Sequence, residues 1–124
     1  MPKDTCIAED VIKMVSGRWK ISTLCFLITG TKRFSEIKRF RNDISEKMLS
    51  HQLKELQKDG LINRKAYAVV PPKVEYSLTP LGEKIIPILR MLDDWGNKYL
   101  VSHKKMGIKP NCKKCAYFPN LLPA

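Results

Sequence analysis

Lys47, Ser50, His51, Gln52 and Lys54 crowd into eight residues, and every one of them can donate a hydrogen bond. At about 100° per residue, Lys47, His51, Lys54 and Lys58 share one side of a helix, while Leu49, Leu53 and Leu56 share the other. One side suits a core. The other offers donors with no large apolar group among them, which is the chemistry that base edges and phosphates accept. A solvated surface helix shows the same pattern, so its meaning rests on the elements that position it.

The thiols are the second reactive set. Cys6 falls in the first turn of an N-terminal helix, where the helix dipole favours a reactive thiolate, although a small residue buried in an interface fits the same position. Cys25 lies on an apolar helix face and is expected to be inert. Cys112 and Cys115 form a single Cys-x2-Cys, half of a tetrahedral zinc site. A second subunit, Cys6 or His103 would have to complete such a site. A disulfide-forming dithiol and two free thiols on a tail are the other readings. No cofactor is expected, with zinc at this pair as the alternative. His51 and His103 stand in no pattern with a nucleophile and an acid, and no glycine-rich phosphate loop occurs. The chain reads as a binding protein, not an enzyme.

The 124 residues allow one domain, read as 1–106 with an irregular tail over 107–124. Lys and Arg number 23 against 12 Asp and Glu, a net charge of +11 that suits an anionic polymer. No apolar run has the length of a membrane span, and residues 1–16 lack the apolar core of a signal peptide. A cytoplasmic protein without a membrane partner is expected.

Asp4 or Thr5 is placed to cap a first helix with the stripe Ile7, Val11, Met14 and Val15. A second, apolar on most sides, runs from about Trp19 to Gly30 and should form the centre of the core. Arg33–Phe40 predicts a short helix capped by Ser35, with Phe34, Ile37 and Phe40 inward and Arg33, Lys38, Arg39 and Arg41 outward. The donor helix follows, capped by Ser45 and ended by Gly60. The period then changes to two: Leu61–Tyr67 and the run through Val74, Tyr76 and Leu78 predict a hairpin carrying Arg64, Lys65 and Lys73. Thr79-Pro80 starts a last helix whose broad apolar face includes Ile85, Ile88, Leu92 and Trp95, with a kink expected at Pro87. That face exceeds what so small a domain easily buries, so a second subunit is the economical cover.

This order resembles the HxlR family of bacterial and archaeal transcription regulators, from Cys6 to about Gly96. Its carriers include Gly17-Arg18-Trp19-Lys20, Arg33-Phe34-Ser35-Glu36-Ile37, Ile44-Ser45-Glu46-Lys47-Met48-Leu49 and Val70-Pro71-Pro72-Lys73-Val74-Glu75-Tyr76-Ser77-Leu78-Thr79-Pro80-Leu81-Gly82. The resemblance implies a mainly α fold with a small β-hairpin: a winged helix-turn-helix with N- and C-terminal dimerisation helices, binding pseudo-palindromic double-stranded DNA, mostly as a repressor. It implies helix contacts at Ser45, Lys47, Ser50, His51 and Lys54 and wing contacts at Arg64, Lys65 and Lys73. The pattern of charges and polar donors adds Arg33, Ser35, Lys38, Arg39 and Gln52. Several such regulators carry an oxidant- or electrophile-sensing thiol at the position of Cys6, and a disulfide from Cys6 to Cys112 or Cys115 would be the corresponding switch. The tail lies outside the family pattern. The effector is not legible, and a MarR- or ArsR-type regulator with a small-molecule or metal effector is the alternative.

Overall fold

The structure, a computed structural model, describes residues 6–17 and 19–101. Arg18, His103, Cys112 and Cys115 lie outside them.

Five α-helices and a three-stranded antiparallel sheet follow in the order α1 (Ile7–Val15), α2 (Lys20–Leu27), β1 (Lys32–Arg33), α3 (Phe34–Phe40), α4 (Glu46–Lys58), β2 (Ile62–Tyr67), β3 (Lys73–Leu78) and α5 (Pro80–Trp95), with a π-helical segment over Gly96–Val101. The expected hairpin is present, with β2 and β3 paired from Ile62 opposite Leu78 to Tyr67 opposite Lys73. The sheet order is β1-β3-β2. β1 was missed by pattern reading, because two residues carry no period. Lys32 lies opposite Tyr76, and Arg33 opposite Glu75.

α2 is the centre of the core, as its sequence predicts, and buries Thr23, Leu24, Cys25 and Leu27. Ile37 of α3, Leu49, Leu53 and Leu56 of α4, and Ile85 and Leu89 of α5 join Leu24, Cys25 and Leu27 in one cluster. Each such side chain contributes about 1.5–3 kcal/mol over leaving it in water, enough to hold short helices that would not form alone. Phe26 and Phe40 stack with ring centroids 4.2 Å apart, fixing α3 against α2.

Several local expectations are corrected. Cys6, rather than Asp4 or Thr5, occupies the N-cap of α1. α3 begins one residue before Ser35: Arg33 is its N-cap, and the Arg33 backbone N–H donates to Glu36 Oε1 at 2.9 Å. Arg41 does not face out. It is buried and pairs with Asp43 at 3.1 Å, and Asp43 also accepts from Trp19 Nε1 at 3.2 Å. The turn between α3 and α4 is thereby tied to the start of α2. Pro87 lies inside α5, as its sequence predicts, and the helix runs to Trp95.

One junction sets the angle between the hairpin and the helices on either side. The Thr79 hydroxyl donates to the Gly60 carbonyl at 2.6 Å and accepts from the Gly82 N–H at 2.9 Å. Thr79 N–H donates to the Leu61 carbonyl at 3.1 Å. Gly82 lies so close to that carbonyl that a side chain there would collide with backbone. The end of α4, both ends of the hairpin and the start of α5 therefore meet at one point.

Candidate nucleic-acid interface

α4 is positioned by its buried face. Ser45 caps it, the hydroxyl accepting from Met48 N–H at 3.1 Å, and Leu49, Leu53 and Leu56 anchor it to the core. Lys47, His51 and Lys54 are left in solvent. Met48, which the pattern places nearer the core, is also exposed.

Between α4, the start of α3 and the hairpin lies an open groove of about 740 Å³. Arg33, Ser35, Ser50, Lys54, Arg64 and Lys73, all expected site residues, line it together. These six come from five elements and from well-separated parts of the sequence, so only the fold brings them to one concave surface. Glu46 and Gln57 line it as well and were missed. The signal was available, since Glu46, Ser50 and Gln57 recur at spacings of four and seven and so form one helical stripe.

The other expected residues lie elsewhere. Lys47 and His51 stand on the exposed crest of α4, and Ser45 at its cap. Lys38 and Arg39 sit in the last turn of α3 and do not line the groove. Lys65 places its ammonium 4.9 Å from the ring centre of Tyr67. Gln52 is a correction. It is buried, its Oε1 has no hydrogen-bond partner among the described residues, and it packs at Gly17, so it does not present its amide outward.

Acidic partners moderate the positive surface. Glu55 lies 3.3 Å from His51 Nε2 and 3.5 Å from Lys20 Nζ, linking the crest of α4 to a buried lysine of α2. Lys73 lies 3.4 Å from Glu75 and 4.6 Å from the Tyr67 ring centre. The Tyr67 hydroxyl donates to Glu75 at 2.8 Å. That hydrogen bond first, then Lys73 and Arg33, hold the Glu75 carboxyl below its ordinary range against the opposing effect of partial burial. A surface pair of this kind is weak, so a phosphate can replace Glu75 as the partner of Lys73 at small cost.

Helix, tight turn, anchored helix and a basic hairpin beside it form a winged helix-turn-helix. A family model for the HxlR-like helix-turn-helix matches residues 14–104. The chain belongs to the HxlR family. It is similar to the HTH-type transcriptional regulator YkvN of Bacillus subtilis, 48% identical over 99 residues that cover 80% of this chain and 84% of YkvN. Among solved structures, the redox regulator HypR in its reduced form matches with a TM-score of 0.73 and 38% identity over 79% of this chain and 99% of that one. Diamide-treated YodB of B. subtilis matches with a TM-score of 0.67 and 30% identity over 77% and 96%. As an HxlR regulator, the protein carries α3 and α4 as its helix-turn-helix and the β2–β3 hairpin as its wing. No described helix is long and apolar enough to cross a membrane.

Proposed function

We propose that this HxlR regulator is a homodimeric, sequence-specific repressor that lays α4 in the major groove of a pseudo-palindromic operator. The observation that carries the reading is the groove in which Arg33, Lys54, Arg64 and Lys73 converge beside the exposed crest of α4. Arg33, Lys38, Arg39, Arg64, Lys65 and Lys73 would bind phosphates, and Lys47, Ser50, His51 and Lys54 base edges. The unit spans residues 1–106, with 107–124 as a separate tail.

The second copy covers an apolar face that this chain leaves bare. Ile88, Met91, Leu92 and Trp95 form one exposed stripe on α5, beside the stripe that Ile85 and Leu89 bury, and Ile7 of α1 is also exposed. Paired α5 and α1 helices would set two α4 helices about one DNA turn apart.

Cys6 is the proposed switch. Its thiol is exposed at the head of α1, and two similar solved structures are a redox regulator and a regulator treated with diamide. Cys6 and either Cys112 or Cys115 would form a disulfide. The two thiols lose two protons and two electrons to the oxidant, and diamide is reduced to its hydrazine.

The test is fluorescence anisotropy with the DNA upstream of the protein's own gene, in excess competitor at fixed salt, using reduced and diamide-treated protein. Specific binding when reduced and its loss on oxidation is the expected result, with Cys6→Ser resistant to diamide. Equal affinity for operator and competitor would overturn the DNA reading. Specific binding unchanged by diamide would overturn only the switch.

A further inference from the structure

A second concavity shares no lining residue with the groove. It is a cavity of about 460 Å³ between the end of α2, the last residues of β3 and one face of α5. Leu27, Ile28, Leu78, Ile86 and Pro87 give it apolar walls, and Thr31 and Ser77 bring hydroxyl-bearing side chains.

One cation stands among them. Arg90 is 4% exposed and lines the cavity, and its Nη1 has no hydrogen-bond partner among the described residues. Among the described residues no carboxylate lies within ion-pair distance of it, and Glu83, which also lines the cavity, is exposed. Burying a guanidinium with an empty donor costs more than a neutral side chain of the same length would. The volume falls in the range of sites for small organic ligands, roughly 300–1,000 Å³.

We propose that this cavity binds a small monocarboxylate with an apolar body. Its carboxylate accepts from Arg90, and its body lies along Leu27, Ile28, Ile86 and Pro87. A phosphate or other polyanion fits poorly, because one guanidinium among apolar walls would leave further charged oxygens unpaired. The site also has a route to the groove. Thr31 directly precedes β1, and Ser77 directly follows Tyr76 of β3, the residue opposite Lys32. A ligand that favours one setting of α5 against β3 therefore shifts the DNA-binding surface by its differential affinity. This regulation requires no cysteine and stands apart from the thiol switch.

The probes are benzoate and hexanoate, with benzamide and hexanamide as uncharged controls, titrated into reduced full-length protein and followed by methyl NMR. Saturable shifts at Leu27, Leu78 and Ile86 are expected for the acids, with the amides weaker by about tenfold or more. Arg90→Met removes the unpaired donor while keeping an unbranched apolar chain, and it should lose the preference for acid over amide. Equal binding of acid and amide, undiminished preference in Arg90→Met, or no saturation below roughly 10 mM would each overturn the site. Should Arg90→Met fail to fold, the wild-type comparison of acid with amide decides alone.

Discussion

Lys73 reaches two partners without leaving its hairpin, the Glu75 carboxylate and the Tyr67 ring. Its charge is therefore partly spent before any DNA arrives, whereas Arg64 is exposed and has no acidic partner among the described residues. Arg64→Ala should weaken all DNA about equally and flatten the salt dependence by about one counterion, measured by anisotropy over a salt series. Glu75→Gln should act oppositely, raising general affinity about two- to fivefold by freeing Lys73. Glu75 also makes the wing sensitive to pH. Its carboxyl is held below its ordinary value, so its stabilising contribution is present above the unfolded glutamate pKa of about 4.3 and is lost as pH falls through the lower folded value. Carboxyl-detected NMR should find Glu75 titrating below the unfolded glutamate value of about 4.3, and a midpoint at or above it would contradict the Tyr67–Lys73 arrangement. His51→Ala, on the crest of α4, should alter sequence preference more than general affinity, which selection from a randomised operator pool would show. At this level the sequence is read well where charge must be exposed and poorly where a polar group is buried. Gln52 lies only about 40° from Leu56 around α4, so the period itself placed it against the core; its amide drew it wrongly into the donor set.

Between single side chains and the whole domain, the junction of Gly60, Leu61, Thr79 and Gly82 carries the most structure per atom. Thr79-Pro80 is legible as a helix start from sequence, because a hydroxyl cap and a residue needing no N–H suit that position. That the same hydroxyl also holds the end of α4 is not legible, because Gly60 and Thr79 are 19 residues apart. Thr79→Val should cost about 1–2 kcal/mol in denaturant unfolding, from the lost cap and the Gly60 carbonyl left without its donor. Gly82→Ala should cost roughly 3 kcal/mol or more, because the clash is with the Leu61 backbone and no side chain can move to relieve it. The two-residue β1 and the exact starts of α1 and α3 were also beyond pattern reading. β1 is set by a tertiary contact, the pairing of Arg33 with Glu75 opposite, and not by local propensity.

The domain as a whole leaves much of one side of α5 uncovered, which its sequence already suggested by carrying more apolar residues than one core can take. Ile88→Asp with Met91→Glu puts two charges on exposed positions of that stripe and should leave the monomer folded. Sedimentation velocity should then show a monomer, and operator affinity should fall by at least about a hundredfold, since each copy would bind only a half-site. A dimer that survives both charges would place the subunit contact elsewhere. The tied junction has a practical consequence for the wing. Its two strands leave and return at a fixed point and stay paired as far as Tyr67 and Lys73, so the five residues 68–72 are the whole of its unpaired tip. That tip can be treated as a cassette. Exchanging it for loops of other length and charge should alter how far the protein grips along the duplex while the fold, and the bases read by α4, stay as they are.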